Sequence, residues 1–254
     1  MISKNKIKHI QSLHRKKGRD QEGVFLVEGD KLVKEALQSS FAVRSVCARL
    51  DFIMENKLDF SGEPELIEVD DAEMKKISTL QSPQRALAVV EMPEAALSEV
   101  GEGLSLALDG IQDPGNLGTI IRTADWFGVK NIYCSLDTAD CFNPKVIQAT
   151  MGAIFRVNMH YVDLPRLLAR ASAAGTTSYG TFMEGDNIYS IKLAKSSLLV
   201  MGNEGNGIRL ETEKQLAKRI TIPSYAHGGS ESLNVGIATA VCLAEFRRCS
   251  RSKL

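Results

Sequence analysis

Residues 113–128, DPGNLGTIIRTADWFG, place a glycine-bearing turn between an apolar segment, LSLALDG (104–110), and a periodic segment. The apolar segment predicts a buried strand, and the periodicity predicts a helix over 118–127. A glycine turn that leads from a strand into a helix is a common phosphate site. However, the spacing Gly115-x-x-Gly118 lacks the third glycine of the dinucleotide fingerprint, and no Gly-Lys-Ser/Thr follows as in a P-loop.

Two polar side chains of this stretch are candidates for a functional role. Asn116 stands where it could cap the helix, and Arg122 lies one turn after Gly118. An amide and a guanidinium together suit an anionic or hydroxyl-rich partner. Taken alone, the stretch also fits a capped helix whose arginine pairs with a surface carboxylate.

Two further stretches repeat the arrangement of a strand followed by a polar turn. In LLVMGNEGNGI (198–208) an apolar strand leads into three glycines with Glu204 among them, which indicates close backbone approach or positive φ angles. In ITIPSYAHGGSESLNVGIATAV (220–241) a strand ends near Pro223, and an apolar helix follows Ser232, Leu233 and Asn234. By themselves, Glu204 could pair locally and Ser232 could be an ordinary N-cap.

The surrounding chain divides into two blocks. From residue 104 onward strands alternate with helices, which predicts a parallel sheet covered on both faces. The elements expected there include the strand IFRVNMHY (154–161), helices over 118–127, 143–151, 164–173 and 208–218, and a terminal helix from about 232. Segments such as VFLVEG (24–29), followed by a helix with Asp30 as its cap, predict a small α/β domain before it. We expect domains over 1–92 and 104–254, joined by a linker over 93–103.

Composition and charge limit the class of protein. The 254 residues have no net charge, no long apolar run and no secretory signal, so we expect a cytoplasmic protein without a membrane segment. Five cysteines without C-x-x-C spacing and four scattered histidines predict reduced thiols and no metal site. Residues 1–20 hold seven basic residues against Asp20 alone, a local charge of +6. This segment predicts a polyanion contact, with a solvated, frayed helix as the alternative.

The three motifs together, in this order and spacing, closely resemble those of the SPOUT-class RNA methyltransferases of the TrmH/SpoU branch. The resemblance covers residues 104–254. FLVEGDKLVKEAL (25–37) and SPQRALAVVEM (82–92) resemble, more loosely, the substrate-binding domain in front of many members. Arg85-Ala86 departs from that pattern, since a glycine-containing turn is more usual there.

The resemblance implies an α/β fold with a deep trefoil knot, a small RNA-binding domain before it, and methyl transfer from S-adenosylmethionine to a ribose 2′-hydroxyl. Structured RNA is the implied substrate, with ribosomal RNA expected over transfer RNA because of the extra domain. The implied partner is a second copy of the chain, bound through the catalytic domain, and no metal takes part. The implied cofactor-binding residues are Met201, Gly202, Ile222, Pro223 and Leu233. Those implied at the reaction centre are Asn116, Arg122, Glu204, Ser232 and Asn234.

Within this set, Glu204 is expected to orient Arg122, which would position a phosphate and stabilise developing alkoxide. A guanidinium keeps its proton, which argues against a role for Arg122 as general base. The same chemistry on transfer RNA, an RNA-binding or assembly protein without turnover, and a nucleotide-dependent dehydrogenase are the alternatives. The role of the loop around His227 stays open.

Overall fold

The computed structural model describes residues 2–59, 62–94, 99–225 and 232–250. The chain forms two compact units. The first contains Met1–Glu94 together with Asp140–Phe155, and the second contains Ala95–Ala139 together with Arg156–Leu254. Residues 140–155 therefore belong to the first unit, although the sequence pattern groups them with the second block.

The first unit is a mixed four-stranded sheet with helices. Its strands are β1 (Val24–Glu28), β2 (Val43–Ala48), β3 (Glu65–Glu68) and β4 (Ala86–Glu91). Its helices are α1 (Lys4–Ser12), α2 (Lys16–Glu22), α3 (Asp30–Gln38), α4 (Leu50–Asn56), α5 (Asp71–Ile77) and, from the inserted segment, α7 (Pro144–Thr150). The strand order is β1-β4-β2-β3, and β4 runs antiparallel to both of its neighbours. Because β1 is buried along its whole length, its sequence is a continuous apolar run up to its final glutamate.

The predicted cap of α3 is wrong. Gly29 is the N-cap residue, with a φ of 105° that favours glycine. The carboxylate of Asp30 instead accepts hydrogen bonds from the backbone N–H of Arg85 at 3.2 Å and from its Nε at 2.7 Å. Arg85, which departs from the expected pattern, directly precedes β4. Its bonds to Asp30 therefore link the start of α3 to the start of β4.

The segment 140–155 packs against β1 in the first unit. The ring of Phe142 lies 4.6 Å from that of Phe25, and the Gln148 side chain donates to the backbone carbonyl of Glu28 at 2.7 Å. The segment ends in a 3-10 turn at Ala153–Phe155. The predicted strand over 154–161 is therefore too long, because its first two residues are buried in this turn.

The second unit is built on six strands that all run parallel, as the alternating pattern predicts. They are β5 (Leu104–Asp109), β6 (Asn131–Cys134), β7 (Asn158–Tyr161), β8 (Thr177–Asn187), β9 (Ser197–Gly202) and β10 (Lys218–Thr221), in the spatial order β10-β8-β9-β5-β6-β7. The helices are α6 (Pro114–Trp126), α8 (Leu164–Ala173), α9 (Leu210–Glu213) and α10 (Val235–Ser250). The strand order does not test the trefoil knot, which stays a prediction.

Helices cover both faces of this sheet. Leu167 and Leu168 of α8 belong to one apolar cluster with Ala107 and Val200, which are paired neighbours on one face. Tyr179 and Leu199 are paired on the opposite face, where the Tyr179 ring makes an edge contact with Phe246 of α10 at 5.3 Å. Alternate side chains of a strand point to opposite faces, so α8 and α10 lie on opposite sides.

Three helix boundaries differ from the expectation. The helix predicted over 118–127 begins at Pro114, because Asp113 caps it and proline is favourable in the first turn. The helix predicted over 208–218 is the single turn α9, and the terminal helix begins at Val235. Within the described part of the chain, no helix combines the length and apolar character needed to cross a membrane.

None of the five cysteines forms a disulfide, and four of them are buried. Burial raises the pKa of the Cys47 and Cys242 thiols to about 12. These side chains are therefore core residues with very little reactive thiolate at neutral pH.

Candidate active site

The motif residues 113–128 and 198–208 meet because β5 and β9 are adjacent parallel strands. In register, Asp109 at the end of β5 lies opposite Gly202 at the end of β9. The turn before α6 and the glycine loop after β9 therefore start from the same edge of the sheet. Ligands of open parallel sheets bind at this carboxyl edge.

Three of the predicted reaction-centre residues form one hydrogen-bonded chain. The Asn116 side-chain NH₂ donates to a carboxylate oxygen of Glu204 at 2.8 Å. The Asn116 side-chain carbonyl accepts from the NH₂ group of Asn234 at 2.9 Å. Each motif contributes one member, so the chain joins all three motifs at one point.

Asn116 lies in the first turn of α6, which begins at Pro114. Its backbone N–H donates to the Asp113 carboxylate at 2.7 Å, so Asp113 is the cap and the Asn116 side chain is available for other partners. Asn234 has a capping role of its own, since its side-chain oxygen accepts from the N–H of Gly236 at 2.9 Å. These capping bonds come from Asn234, whereas the sequence suggested Ser232, which is exposed.

Close packing of α6 against α10 brings the two asparagines together. A Cβ atom on Gly236 would lie 3.2 Å from the Cγ2 atom of Thr119, which is tighter than an ordinary contact. The glycine therefore lets the helices approach at the level of Asn116 and Asn234.

Arg122 lies apart from this chain. It is exposed, and its side chain makes no hydrogen bond or ion pair with another described residue. Six residues after Asn116, it points about 120° away around the helix axis at 3.6 residues per turn. The expected contact between Glu204 and Arg122 is not formed, because the glutamate is bonded to Asn116 instead.

The loop that carries Glu204 is held by Asn203. The Asn203 NH₂ group donates to the carbonyl of Gly110 at 2.7 Å, and its side-chain oxygen accepts from the N–H groups of Gly205 and Asn206. Backbone bonds between Asn203 and Gly207 close the loop. The side chain of Asn203 therefore sets the loop shape within its own chain.

Two of the loop glycines are required by this shape. A Cβ atom on Gly202 would lie 2.3 Å from the carbonyl carbon of Gly207, and Gly207 has a φ of 68°. At these positions loop closure is itself a sufficient reason for glycine. Gly205 differs, since its Cβ would meet only the Asn203 side-chain oxygen, at 3.6 Å.

The site also contains an ion pair that was not predicted. The Asp109 carboxylate is fully buried and accepts from the backbone N–H of Arg209 at 2.9 Å and from its Nε at 2.7 Å. Arg209 also lies 3.3 Å from Asp137. Hydrogen bonding to Asp109 raises the pKa of Arg209. The pKa of Asp137 is lowered, first by the hydrogen bond from the Ser135 hydroxyl and then by its own backbone N–H and by Arg209. A charged residue at the end of an apolar strand is the sequence signal that could have identified this pair.

The predicted cofactor residues line the ends of β9 and β10 and the start of the last segment. Met201 is buried in β9, while Ile222 and Pro223 are half-buried just after β10. Leu233, which directly precedes Asn234, is 51% exposed. Half-open apolar side chains of this kind fit a flat aromatic group such as adenine. His227, whose role was left open, lies outside the described residues.

Among the residues that the structure describes, no group of three or more histidine, cysteine, aspartate or glutamate side chains is placed to hold a metal ion.

Sequence family models define the chain as a methylase that carries a separate substrate-binding domain. Residues 103–244 match the SpoU rRNA Methylase family, and residues 4–88 match the MRM3-like substrate binding domain. The chain belongs to the SpoU rRNA methylase family, which confirms the resemblance seen in its three motifs.

Some relatives and solved structures match this chain over almost its whole length. The 23S rRNA (guanosine(2553)-2′-O)-methyltransferase RlmP of Bacillus subtilis is 32% identical over 95% of this chain and 96% of its own. A putative TrmH-family RNA methyltransferase structure from Porphyromonas gingivalis has a TM-score of 0.89 and 39% identity, covering 98% and 99% of the two chains. An AdoMet-bound rRNA methyltransferase from Sinorhizobium meliloti has a TM-score of 0.85 and 30% identity, covering 98% and 96%.

Proposed function

We propose that this protein transfers a methyl group from S-adenosylmethionine to a ribose 2′-hydroxyl of ribosomal RNA. The observation that carries the proposal is the hydrogen-bonded chain of Glu204, Asn116 and Asn234 at the carboxyl edge of the parallel sheet. Membership of the SpoU rRNA methylase family and the names of the relatives support the choice of reaction and of ribosomal over transfer RNA.

The residues of the chain have to orient one hydroxyl and manage one proton. In the overall reaction the 2′-oxygen forms a bond to the methyl carbon, the carbon–sulfur bond breaks, and the hydroxyl proton is released. Among the three linked side chains, the Glu204 carboxylate is the group that can accept a proton, while the two amides orient it. Positioning of this kind supplies much of the rate acceleration in a reaction between two bound partners.

The cofactor contributes a methyl group that its sulfonium centre already activates. We propose that it is held by Met201, Gly202, Ile222, Pro223 and Leu233. The half-buried Ile222 and the exposed Leu233 would contact the adenine, and backbone groups after β9 would bind the polar end. The loop is already closed by Asn203, so little of its conformational entropy remains to be lost on binding.

We further propose a homodimer through the second unit, which would complete the site. Trp126 on α6 is 85% exposed and Ile237 on α10 is 56% exposed, leaving apolar surface on the helix that carries Asn116 and on the helix that begins directly after Asn234. Arg122 lies one turn before Trp126 on the same face of α6. A second copy that covers this face would bring an arginine to each site from its partner. A cytoplasmic location completes the proposal.

A methylation assay tests the proposed function. The purified protein is incubated with labelled S-adenosylmethionine and either bacterial 23S rRNA or bulk tRNA, and modified riboses are mapped. Label at a 2′-oxygen of the 23S rRNA is expected, and its loss is expected in Glu204→Gln. Label only in tRNA would support the transfer RNA alternative. If calorimetry shows that the protein binds NAD but does not bind S-adenosylmethionine, the proposal is contradicted altogether.

A further inference from the structure

The first unit carries a group of basic side chains without acidic partners. Among the described residues, these side chains are exposed and make no ion pair; they are Lys4, Lys8, Arg15, Lys16 and Lys17. They all belong to α1, α2 and the turn between them, and we call them the α1–α2 basic face. Several other cations of the unit do have acidic partners, as in the pairs Lys34–Glu55 and Arg44–Glu91.

The two helices beneath this face are folded against the core. Ile10 and Leu13 are fully buried and pack in the same apolar cluster as Leu26. Ser3 caps α1 by accepting from the N–H of Lys6. Residues 4–22 therefore form folded helices with one buried side, and a frayed tail is wrong for them, while their basic face is exposed to solvent.

The turn between the helices is fixed by two neighbouring residues. A Cβ atom on Gly18 would lie 2.3 Å from the carbonyl oxygen of Ser12, so glycine is needed for this close approach. The buried guanidinium of Arg19 donates to the carbonyls of Leu13 and His14. The basic side chains consequently project from a rigid base.

The clustering of charge has an energetic cost that an anion would remove. Arg15, Lys16 and Lys17 are consecutive and exposed, and the first turn of α2 contains no acidic residue. Lys4 and Lys8 lie one turn apart on the same side of α1, where like charges repel each other. A polyanion that contacts both helices would relieve this repulsion and release bound counterions.

We propose that the α1–α2 basic face binds the sugar–phosphate backbone of the RNA that the second unit methylates. The proposal rests on the proposed function and names the surface that holds its substrate. The stretch 2–22 contains no Phe, Tyr or Trp, so it offers phosphate contacts without base stacking. Large apolar side chains of the stretch point into the core, so it also lacks what a membrane-inserting helix needs.

A pair of charge-matched variants tests the proposal. The first combines Lys8→Gln, Lys16→Gln and Lys17→Gln. The control combines Lys31→Gln, Lys34→Gln and Arg44→Gln, which removes the same charge from exposed or half-exposed residues that already have acidic partners. Binding of bacterial 23S rRNA is measured at several concentrations between about 50 and about 200 mM salt, the range over which such contacts are lost.

The first variant should weaken binding and lower the slope of log K against log salt by about 2 to 3, since each phosphate contact contributes about 0.7 to 0.9. The control should keep the wild-type slope. Affinity for S-adenosylmethionine should be unchanged in both. Equal changes in the two variants would show that only net charge matters and would overturn the proposal, as would an unchanged slope in the first variant.

Two further outcomes distinguish RNA binding by this face from membrane binding and from the proposed methyl-transfer function. Binding to vesicles of phosphatidylserine and phosphatidylcholine that the first variant loses, with RNA binding intact, would identify a membrane surface and overturn the RNA assignment. A wild-type protein that shows the expected salt slope but transfers no methyl group would overturn the proposed function and still support the phosphate-binding face.

Discussion

Arg209 donates hydrogen bonds to the buried carboxylate of Asp109 from its guanidinium group and from its own backbone N–H. Asp109 ends β5, and Arg209 lies just beyond the loop that carries Glu204. Together with the bond from Asn203 to the carbonyl of Gly110, the pair fixes both ends of that loop to the end of one strand. The end of β5 also leads into the turn that contains Asn116. The same strand end therefore positions both Glu204 and Asn116, the two partners of one hydrogen bond.

Replacing Arg209 by Ala should destabilise the protein and impair methyl transfer. The change leaves the Asp109 carboxylate buried with a single remaining donor. We expect a loss of about 2 to 3 kcal/mol, below the 3–5 kcal/mol typical of buried pairs because Arg209 is 40% exposed. Urea unfolding measures the loss, and Arg219→Ala, which removes a surface partner of Glu213, is the control. Equal, small effects of both substitutions would contradict the anchoring role.

Replacing Asn116 by Ala should reduce turnover with little effect on folding. The side chain is half-buried and links Glu204 to Asn234, so its loss frees both groups from their orientation. A fall of about 100-fold to 1,000-fold in the single-turnover rate is expected, as for other preorganised donors. Because Asn116 and Glu204 act as a unit, adding Glu204→Gln should cost little more. Independent, multiplicative losses in the double variant would mean that the bond has no part in the reaction.

Replacing Arg122 by Ala should abolish turnover and leave S-adenosylmethionine binding nearly intact. The side chain is exposed and makes no hydrogen bond or ion pair with another described residue, so we expect neither folding nor cofactor binding to depend on it. If Arg122 acts across a dimer, mixing inactive Arg122→Ala and Glu204→Gln subunits restores one complete site per mixed dimer. Activity measured after subunit exchange therefore distinguishes the two arrangements. Failure to recover activity in confirmed mixed dimers would place the arginine in its own protomer's site.

Replacing Gly202 by Ala should disturb the glycine loop far more than the same change at Gly205. The new methyl group would overlap the backbone of Gly207, and overpacking of this kind costs about 1 to 3 kcal/mol. Gly205→Ala meets only an ordinary contact, so its thermal unfolding should match the wild type. Thermal unfolding and cofactor calorimetry on both variants check the difference. A Gly202→Ala protein as stable as the wild type would contradict the assigned role of loop closure.

Much of the second unit could be predicted from the sequence because its strands are buried on both faces. Such strands appear as continuous apolar runs, and the helices between them keep a 3.6-residue period, as in LSLALDG and the helix of Arg122. Local errors occurred where one side chain decides a boundary. Asp113 caps α6 one turn earlier than the glycine pattern suggests, and α9 ends after a single turn.

The first unit was less predictable from the sequence. The segment 140–155 has ordinary helical periodicity, and nothing in its pattern shows that its aromatic residue Phe142 packs against Phe25. The basic N-terminal stretch could be read equally well as a frayed tail. Burial of Ile10 and Leu13 decides that it is folded, because that burial requires partners from distant strands.

The sequence by itself determined the alternation of strands and helices and the polar residues that follow each strand. Tertiary structure alone decided that Asn116 meets Glu204, 88 residues away, and Asn234, 118 residues away. It also placed Arg122 outside that cluster and paired Asp109 with Arg209. Local periodicity records which residues are buried but not which strands become neighbours. The strand order β8-β9-β5-β6 brings the separate turns to one edge, and that order depends on the packing of the whole sheet.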